Sequence, residues 1–177
     1  MRYNTFWEDF IMKTIQYEMP SSVGPVYLVA SAKGLQGIFW QKQQVPSVES
    51  LDPGRPEDKI ITKAVKQLKE YFSGQRKEFD IILNFTGTVF QNRVWKALAQ
   101  IPFGKTVAYK DIAKKIKNPK AVRAVGTANG KNPFCIIVPC HRVIAADGSI
   151  GGYGGGIPIK RRLLEIEQGH GKTRRFK

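Results

Sequence analysis

Ile136-Ile137-Val138-Pro139-Cys140-His141-Arg142-Val143 is an apolar run that drives into a proline and then sets cysteine, histidine and arginine side by side. Ile136 to Val138 read as a buried strand or strand-like segment. Pro139 has no N–H to give to a ladder, so pairing should stop there. Cys140 therefore falls where a rigid segment ends, a place from which a side chain can be aimed. On residue type alone two readings of Cys140 stay open: a small buried hydrophobe, the commoner use of the thiol, or a nucleophile. The adjacent His141 does not decide between them, because cysteine–histidine pairs do not transfer between families. Neighbours in sequence need not face each other, although a water could bridge them.

The rest of the chain narrows the choice. Its 177 residues are enough for one domain or two small ones, and 42% hydrophobic residues allow an ordinary globular core. The charge is less ordinary: 29 Lys and Arg against 14 Asp and Glu give +15. Such a balance points to a polyanionic partner, nucleic acid before membrane. No long apolar span or secretory core is present, and Met1 to Phe10 carries Glu8 and Asp9, unlike a signal peptide. An intracellular, reducing setting follows, with Cys140 kept as a thiol. With Cys135, Cys140, His141 and His170 as the whole cysteine and histidine complement, no zinc cluster is expected.

Hydropathy patterning divides the chain in two. Met12–Met19, Gly24–Ser31 and Leu35–Trp40 read as strands, the last two around a Lys33-Gly34 turn. Residues 41–55 read as a loop. Ile60, Ile61, Ala64, Val65, Leu68, Tyr71 and Phe72 recur at helical spacing, and Phe79 to Phe85 alternates like a half-buried strand. Beyond Thr86-Gly87 the pattern turns helical, so an N-terminal α/β domain spans 1–85 and a C-terminal domain 86–177. Thr88 and Gln91 form a capping-box pattern for a helix carrying Val94, Trp95 and Leu98. A second helix begins near Ala108. Asn118 as N-cap and Pro119 at the first position would open a third, completing a helix-turn-helix pattern. In that third helix Ala121, Ala124, Gly126 and Ala128 would allow close approach to a surface, while Arg123 is either a solvated charge or a reaching arm. Val143 to Ile150 around Asp147-Gly148 reads as a hairpin, placed like a wing. Gly151 to Gly156 is a glycine-rich loop around Tyr153, docked or flexible. Pro158 starts a last helix with Ile159, Leu163 and Ile166 inward, and Glu167 beside them either meets His141 or reaches water.

Pro139-Cys140-His141-Arg142, taken with Gly87 to Gln91, Arg93-Val94-Trp95, Tyr109, Asn118-Pro119-Lys120, Arg123 to Gly126, Asn132-Pro133 and Gly151 to Glu167, resembles the O6-alkylguanine-DNA alkyltransferases. The likeness runs through residues 86–168 in one register. The first half is similar only in its order of elements. The resemblance implies an α+β fold: an N-terminal domain with a small antiparallel sheet, then a mostly helical, winged helix-turn-helix domain. It implies direct-reversal repair of double-stranded DNA bearing O6-alkylguanine, with O4-alkylthymine as a further lesion, by irreversible transfer of one alkyl group to Cys140.

The likeness also assigns parts. His141 and Glu167 would draw the thiol proton, Asn132 would hold the turns around the site, and Tyr109 would contact the base. Arg123 would replace the flipped base, with Ala121, Ala124, Gly126 and Arg142 against DNA. Backbone groups of Cys140, Val143 and Gly154 would meet the base edges in the pocket, with Tyr153 forming a wall. No cofactor or metal is implied, and the chain would act as a monomer. Three features depart from the family pattern: Ala108 where a capping serine is common, Gly154 in place of a larger residue, and no counterpart of the zinc ligands of some members. A non-reacting lesion binder and a helix-turn-helix regulator are the rival functions. Cys140 argues against the first; the second would leave Cys140, His141 and Glu167 idle.

Overall fold

The computed structural model describes residues 14–169, so the aromatic N-terminal extension and the basic tail lie outside the described residues. The chain forms two compact units that divide between Phe85 and Thr86.

In the first unit β1 (Ile15–Met19), β2 (Val26–Ser31) and β3 (Gly34–Phe39) make an antiparallel meander, with a bulge in β3 at Gln36, opposite Val29/Ala30 of β2. Residues 41–55, expected to be loop throughout, contain a two-residue strand, β4 (Ser47–Val48), which pairs parallel to β1. The sheet is therefore mixed rather than purely antiparallel, in the order β3-β2-β1-β4. Buried Gln16 is the reason. Its amide nitrogen donates to the carbonyls of Gln43 (2.9 Å) and Val45 (2.8 Å), and its oxygen accepts from the Gln43 N–H (3.0 Å). One side chain thus pins the loop to the sheet edge. Helix α1 (Pro56–Phe72) buries Ile61, Ala64, Leu68 and Tyr71. Its amphipathic spacing placed it correctly, as a scaffold against the sheet.

Phe79 to Phe85 is extended but is not a regular strand. It makes one bridge, Leu83 to Leu35, and Ile82 points to solvent, 70% exposed. The backbone of Asp80 is committed elsewhere: its N–H and carbonyl both pair with the Gln67 side chain of α1, at 2.9 and 3.2 Å. A segment whose backbone groups are held by a helix cannot lend them to a sheet.

The second unit begins with α2 (Val89–Leu98), whose Thr88–Gln91 capping box is present in both directions. A short strand β5 (Val107–Ala108), α3 (Tyr109–Lys115) and α4 (Val122–Gly130) follow. Trp95 ties α2 to α4 by donating its indole N–H to the Ala128 carbonyl at 2.9 Å. Asn118 does not cap α4. It closes α3 instead: its N–H reaches Ala113 O at 2.9 Å, while the Lys117 N–H reaches Lys114 O at 2.9 Å. Those two bonds, with Lys117 in the left-handed region at φ 56°, are a Schellman closure. Residues 118–120 form a turn, and α4 starts after Ala121, which has no side-chain oxygen to cap it.

Two further expectations are corrected here. The apolar run Ile136 to Val138 is buried but is a turn, with Ile136 at φ 75°, a conformation that costs a β-branched residue strain. The hairpin over 143–150 keeps only its Asp147-Gly148 turn, closed by Ala145 N–H to Ser149 O at 3.0 Å. Its first arm, β6 (Val143–Ile144), pairs parallel with β5 instead, so the wing is a turn rather than a hairpin. Helix α5 (Ile157–Gln168) ends the described chain. Among the described residues no helix is long and apolar enough to cross a membrane.

Candidate active site

Asn132 builds the platform for Cys140. Its amide nitrogen donates to Val138 O at 2.7 Å, and its oxygen accepts from Phe134 N–H at 3.0 Å. The pair of bonds clamps the strained turn at Ile136 from inside. The chain leaves the clamp through Pro139 into one turn of 3-10 helix, Cys140–Arg142. Cys140 is 3% exposed, yet its thiol lies on the wall of a cavity of about 290 Å3. Tyr109, Gly126, Asn129, Asn132, Cys135 and the Gly152–Gly154 stretch also line that cavity.

Glu167, on α5, is the anchor of the arrangement. Its Oε1 lies 2.6 Å from His141 Nε2 and accepts from Arg142 Nη2 at 3.0 Å. Oε2 accepts from Arg142 Nε at 2.8 Å and from the Gly104 N–H at 3.0 Å. Gly104 is at φ 71°, and a Cβ there would stand 3.1 Å from the Glu167 carbonyl, so the approach needs glycine. Burial pushes the Glu167 carboxyl up, but the bonds and charges of His141 and Arg142 overcome it and hold it at about 2. His141 is wholly buried; burial keeps its pKa below the usual value, against the upward pull of Glu167. With Nε2–H given to the carboxylate, neutral His141 carries its lone pair on Nδ1. That atom is buried and bonds to no protein group.

The Cys140 thiol titrates below its ordinary value. A hydrogen bond from Cys135 is the largest cause, opposed by burial and aided by Asn132 and by the charge of Lys160. Lys160 is completely buried on α5 and donates to Val143 O at 2.7 Å and to Gly152 O at 3.3 Å. Burial lowers its pKa to about 8, and the nearby Cys140 charge pulls it back up. Burial, and then Cys140, raise the pKa of Tyr109. Chemically this is a thiol whose ionisation is favoured, beside a neutral, oriented imidazole, in a cavity smaller than the ~300–1,000 Å3 of drug-sized pockets.

Cys140, His141, Glu167 and Asn132 thus come together, and Tyr109, Gly126, Tyr153 and Gly154 border the cavity. Ala124 and Arg123 lie on the exposed face of α4, with Ala121 half-buried at its start. Arg142 is a correction. Expected against DNA, it is 5% exposed, forked on Glu167 and bonded to Ile101 O at 2.5 Å, with its guanidinium over the Phe103 ring. Val143, expected to offer backbone to the base, is fully buried, and its carbonyl already accepts from Lys160. Lys160 was not singled out in the sequence, and Cys135 was counted there without being given a place in the site. The buried face of α5 is Lys160, Leu163, Leu164 and Glu167, the spacing i, i+3, i+4, i+7; Ile159 and Ile166 are only half-buried. Allowing charged residues onto the apolar stripe would have found Lys160.

Comparison with known proteins agrees with this geometry. Residues 14–85 match the family model of the 6-O-methylguanine DNA methyltransferase, ribonuclease-like domain, and residues 89–169 that of its DNA binding domain. A methylated-DNA–protein-cysteine methyltransferase of Methanosarcina acetivorans is 46% identical over 83% of this chain and 94% of its own. One of Mycobacterium tuberculosis is 47% identical over 84% of this chain and 88% of its own. The crystal structure of the M. tuberculosis O6-methylguanine methyltransferase superposes with TM-score 0.76 at 44% identity, covering 88% of this chain and 93% of that one. The crystal structure of the M. tuberculosis OGT in complex with DNA superposes with TM-score 0.76 at 45% identity, covering 87% of this chain and 92% of that one. The chain belongs to the 6-O-methylguanine DNA methyltransferase family and is a DNA-repair enzyme of that family's activity, transfer of an alkyl group from methylated DNA to a protein cysteine.

Proposed function

We propose that Cys140 is the alkyl acceptor, and that the chain repairs O6-alkylguanine, and O4-alkylthymine, by drawing the damaged base out of duplex DNA into the cavity beside it. The reading is carried by Cys140 itself: a buried thiol of lowered pKa on the wall of a cavity with room for one base, next in sequence to a histidine anchored on a carboxylate. Thiolate is the reactive form. The Cys140 proton passes through a water to His141 Nδ1, and Glu167 supports the imidazolium. The sulfur then attacks the alkyl carbon; the S–C bond forms as the C–O bond breaks, and the electron pair leaves on the base. Tyr109 contacts the departing ring, whose charge is neutralised by the proton held at the site.

Lys160 does two things in this scheme. Its ammonium favours the thiolate, and its bonds to Val143 O and Gly152 O fix both ends of the segment that frames the pocket. Tyr153 forms a wall and Gly154 leaves the rim open; Val143 contributes backbone. A base reaches this pocket only outside the stack, at an unstacking cost of a few kcal/mol. Arg123, exposed on α4, takes the vacated place, while Ala121, Ala124 and Gly126 let the helix approach the groove. The thioether is stable, so each monomer acts once and needs no cofactor. Cys140→Ala tests the reading: transfer should vanish while duplex binding, measured by titration, persists within about twofold. Loss of both would make Cys140 a structural residue.

A further inference from the structure

We propose that Cys135 and Cys140 are a redox pair, in which Cys135 resolves an oxidised Cys140 as an internal disulfide and so preserves the reactive sulfur. The alkyl transfer described above gives Cys135 no bond to make, yet the fold sets it beside the acceptor. Both thiols line the same cavity, at 8% and 3% exposure, and neither is in a disulfide. They flank the turn that the Asn132 clamp folds back on itself, with Val138 N–H on Phe134 O at 2.8 Å and Cys140 N–H on Val138 O at 2.8 Å. The Cys135 thiol lies 3.8 Å from the Asn132 carbonyl and also hydrogen-bonds Cys140. A single S–H serves one acceptor at a time, and a charged sulfur is the better one, so Cys135 turns to Cys140 when Cys140 ionises.

That same geometry suits oxidation. A thiolate in a cavity open enough to admit a base is open to a small hydroperoxide. The Cys140 sulfur attacks the peroxide, an S–O bond forms as the O–O bond breaks, and water or an alcohol leaves after taking a proton. Sulfur is oxidised by two electrons and the hydroperoxide is reduced. Unresolved, the sulfenic acid goes on to sulfinic and sulfonic acids, which thiols cannot restore. With Cys135 in contact, its sulfur attacks Cys140 instead. The S–S bond forms, the S–O bond breaks, and hydroxide departs with the Cys135 proton as water. A dithiol then returns both residues to thiols by exchange.

This rests on Cys140 being the reactive thiol, so the experiment first measures methyl transfer by the reduced chain. Wild type and Cys135→Ser are then treated with hydrogen peroxide, and each is assayed before and after dithiothreitol, relative to its own reduced activity. Both cysteines fall on one tryptic peptide, residues 132–142. The expected wild-type product is that peptide lighter by two hydrogens and blind to iodoacetamide, with most activity regained on reduction. In Cys135→Ser the peptide should gain oxygens and recover no activity. Direct overoxidation of wild type, disulfide-linked dimers, or full recovery by Cys135→Ser would each overturn the redox pair while leaving alkyl transfer intact. A reduced chain that transfers nothing would instead overturn the assignment of Cys140.

Discussion

At Glu167 a single carboxylate holds a buried guanidinium and a buried imidazole in place. Removing it would leave Arg142 charged, buried and unpaired, since a carbonyl alone does not neutralise it. Breaking a buried pair from one side costs about 3–5 kcal/mol, so Glu167→Ala should lose that much stability in urea denaturation; a loss under 1 kcal/mol would mean that the site relaxes around the gap. The pH dependence has a definite sign. The folded-state pKa of Glu167 is depressed from 4.5 to about 2. Its contribution is therefore complete above the unfolded value and is lost as pH falls from about 4.5 towards 2, on the order of 3 kcal/mol in all. His141, also depressed, acts in the same direction as pH falls below 6.5. Glu167→Gln should flatten the acid limb of the stability curve, and an unchanged limb would contradict the anchor. Of these residues, Cys140 and His141 could be picked out by their neighbours in sequence. Glu167 stayed open between His141 and water, because spacing along a helix cannot say which segment packs against it.

In α3 the N-terminus is half-capped. Asp111 Oδ2 accepts from the Ala108 N–H at 2.9 Å, but Ala108 has no oxygen to return the bond. Ala108→Ser should complete the box and add about 0.5–2 kcal/mol of stability, read as a raised denaturation midpoint; no rise would mean that the backbone there does not suit the serine. The exposed face of α4 gives the sharper functional contrast. If Arg123 fills the gap left by the flipped base, Arg123→Ala should slow single-turnover repair of a duplex lesion by at least tenfold. Reaction with the free base O6-benzylguanine, which needs no flipping, should hardly change. Equal slowing on both substrates would remove the finger assignment. Elements set by side-chain periodicity, α1 and α2, were legible in the sequence, as was the capping box at Thr88. Those set by a distant partner were not. Asn118-Pro119 reads as a helix start, yet the Asn118 N–H closes α3. Phe79 to Phe85 alternates like a strand, yet Gln67 holds its backbone.

Over the whole molecule the scaffold and the reactive unit differ in how plainly the sequence speaks. The motif-bearing residues 86–168 disclosed family and chemistry together, because a thiol, an imidazole and a carboxylate can be used only at particular places. The first unit has neither cysteine nor histidine to mark a place in it, and its β4 edge depends on one buried amide, Gln16, that looks like any surface glutamine. Buried charge was the other blind spot: Arg142 and Lys160 read as part of the +15 surface, but both are spent inside. Single use is a property of the whole chain, since the product retains the alkyl group on its own sulfur. The most direct test is intact mass after incubation of the reduced protein with excess O6-methylguanine duplex, followed by fragmentation of the peptide 132–142 that holds both cysteines. One methyl group per chain, on Cys140 and with no turnover, is the expected result; methyl on Cys135, or more lesions repaired than chains present, would contradict it.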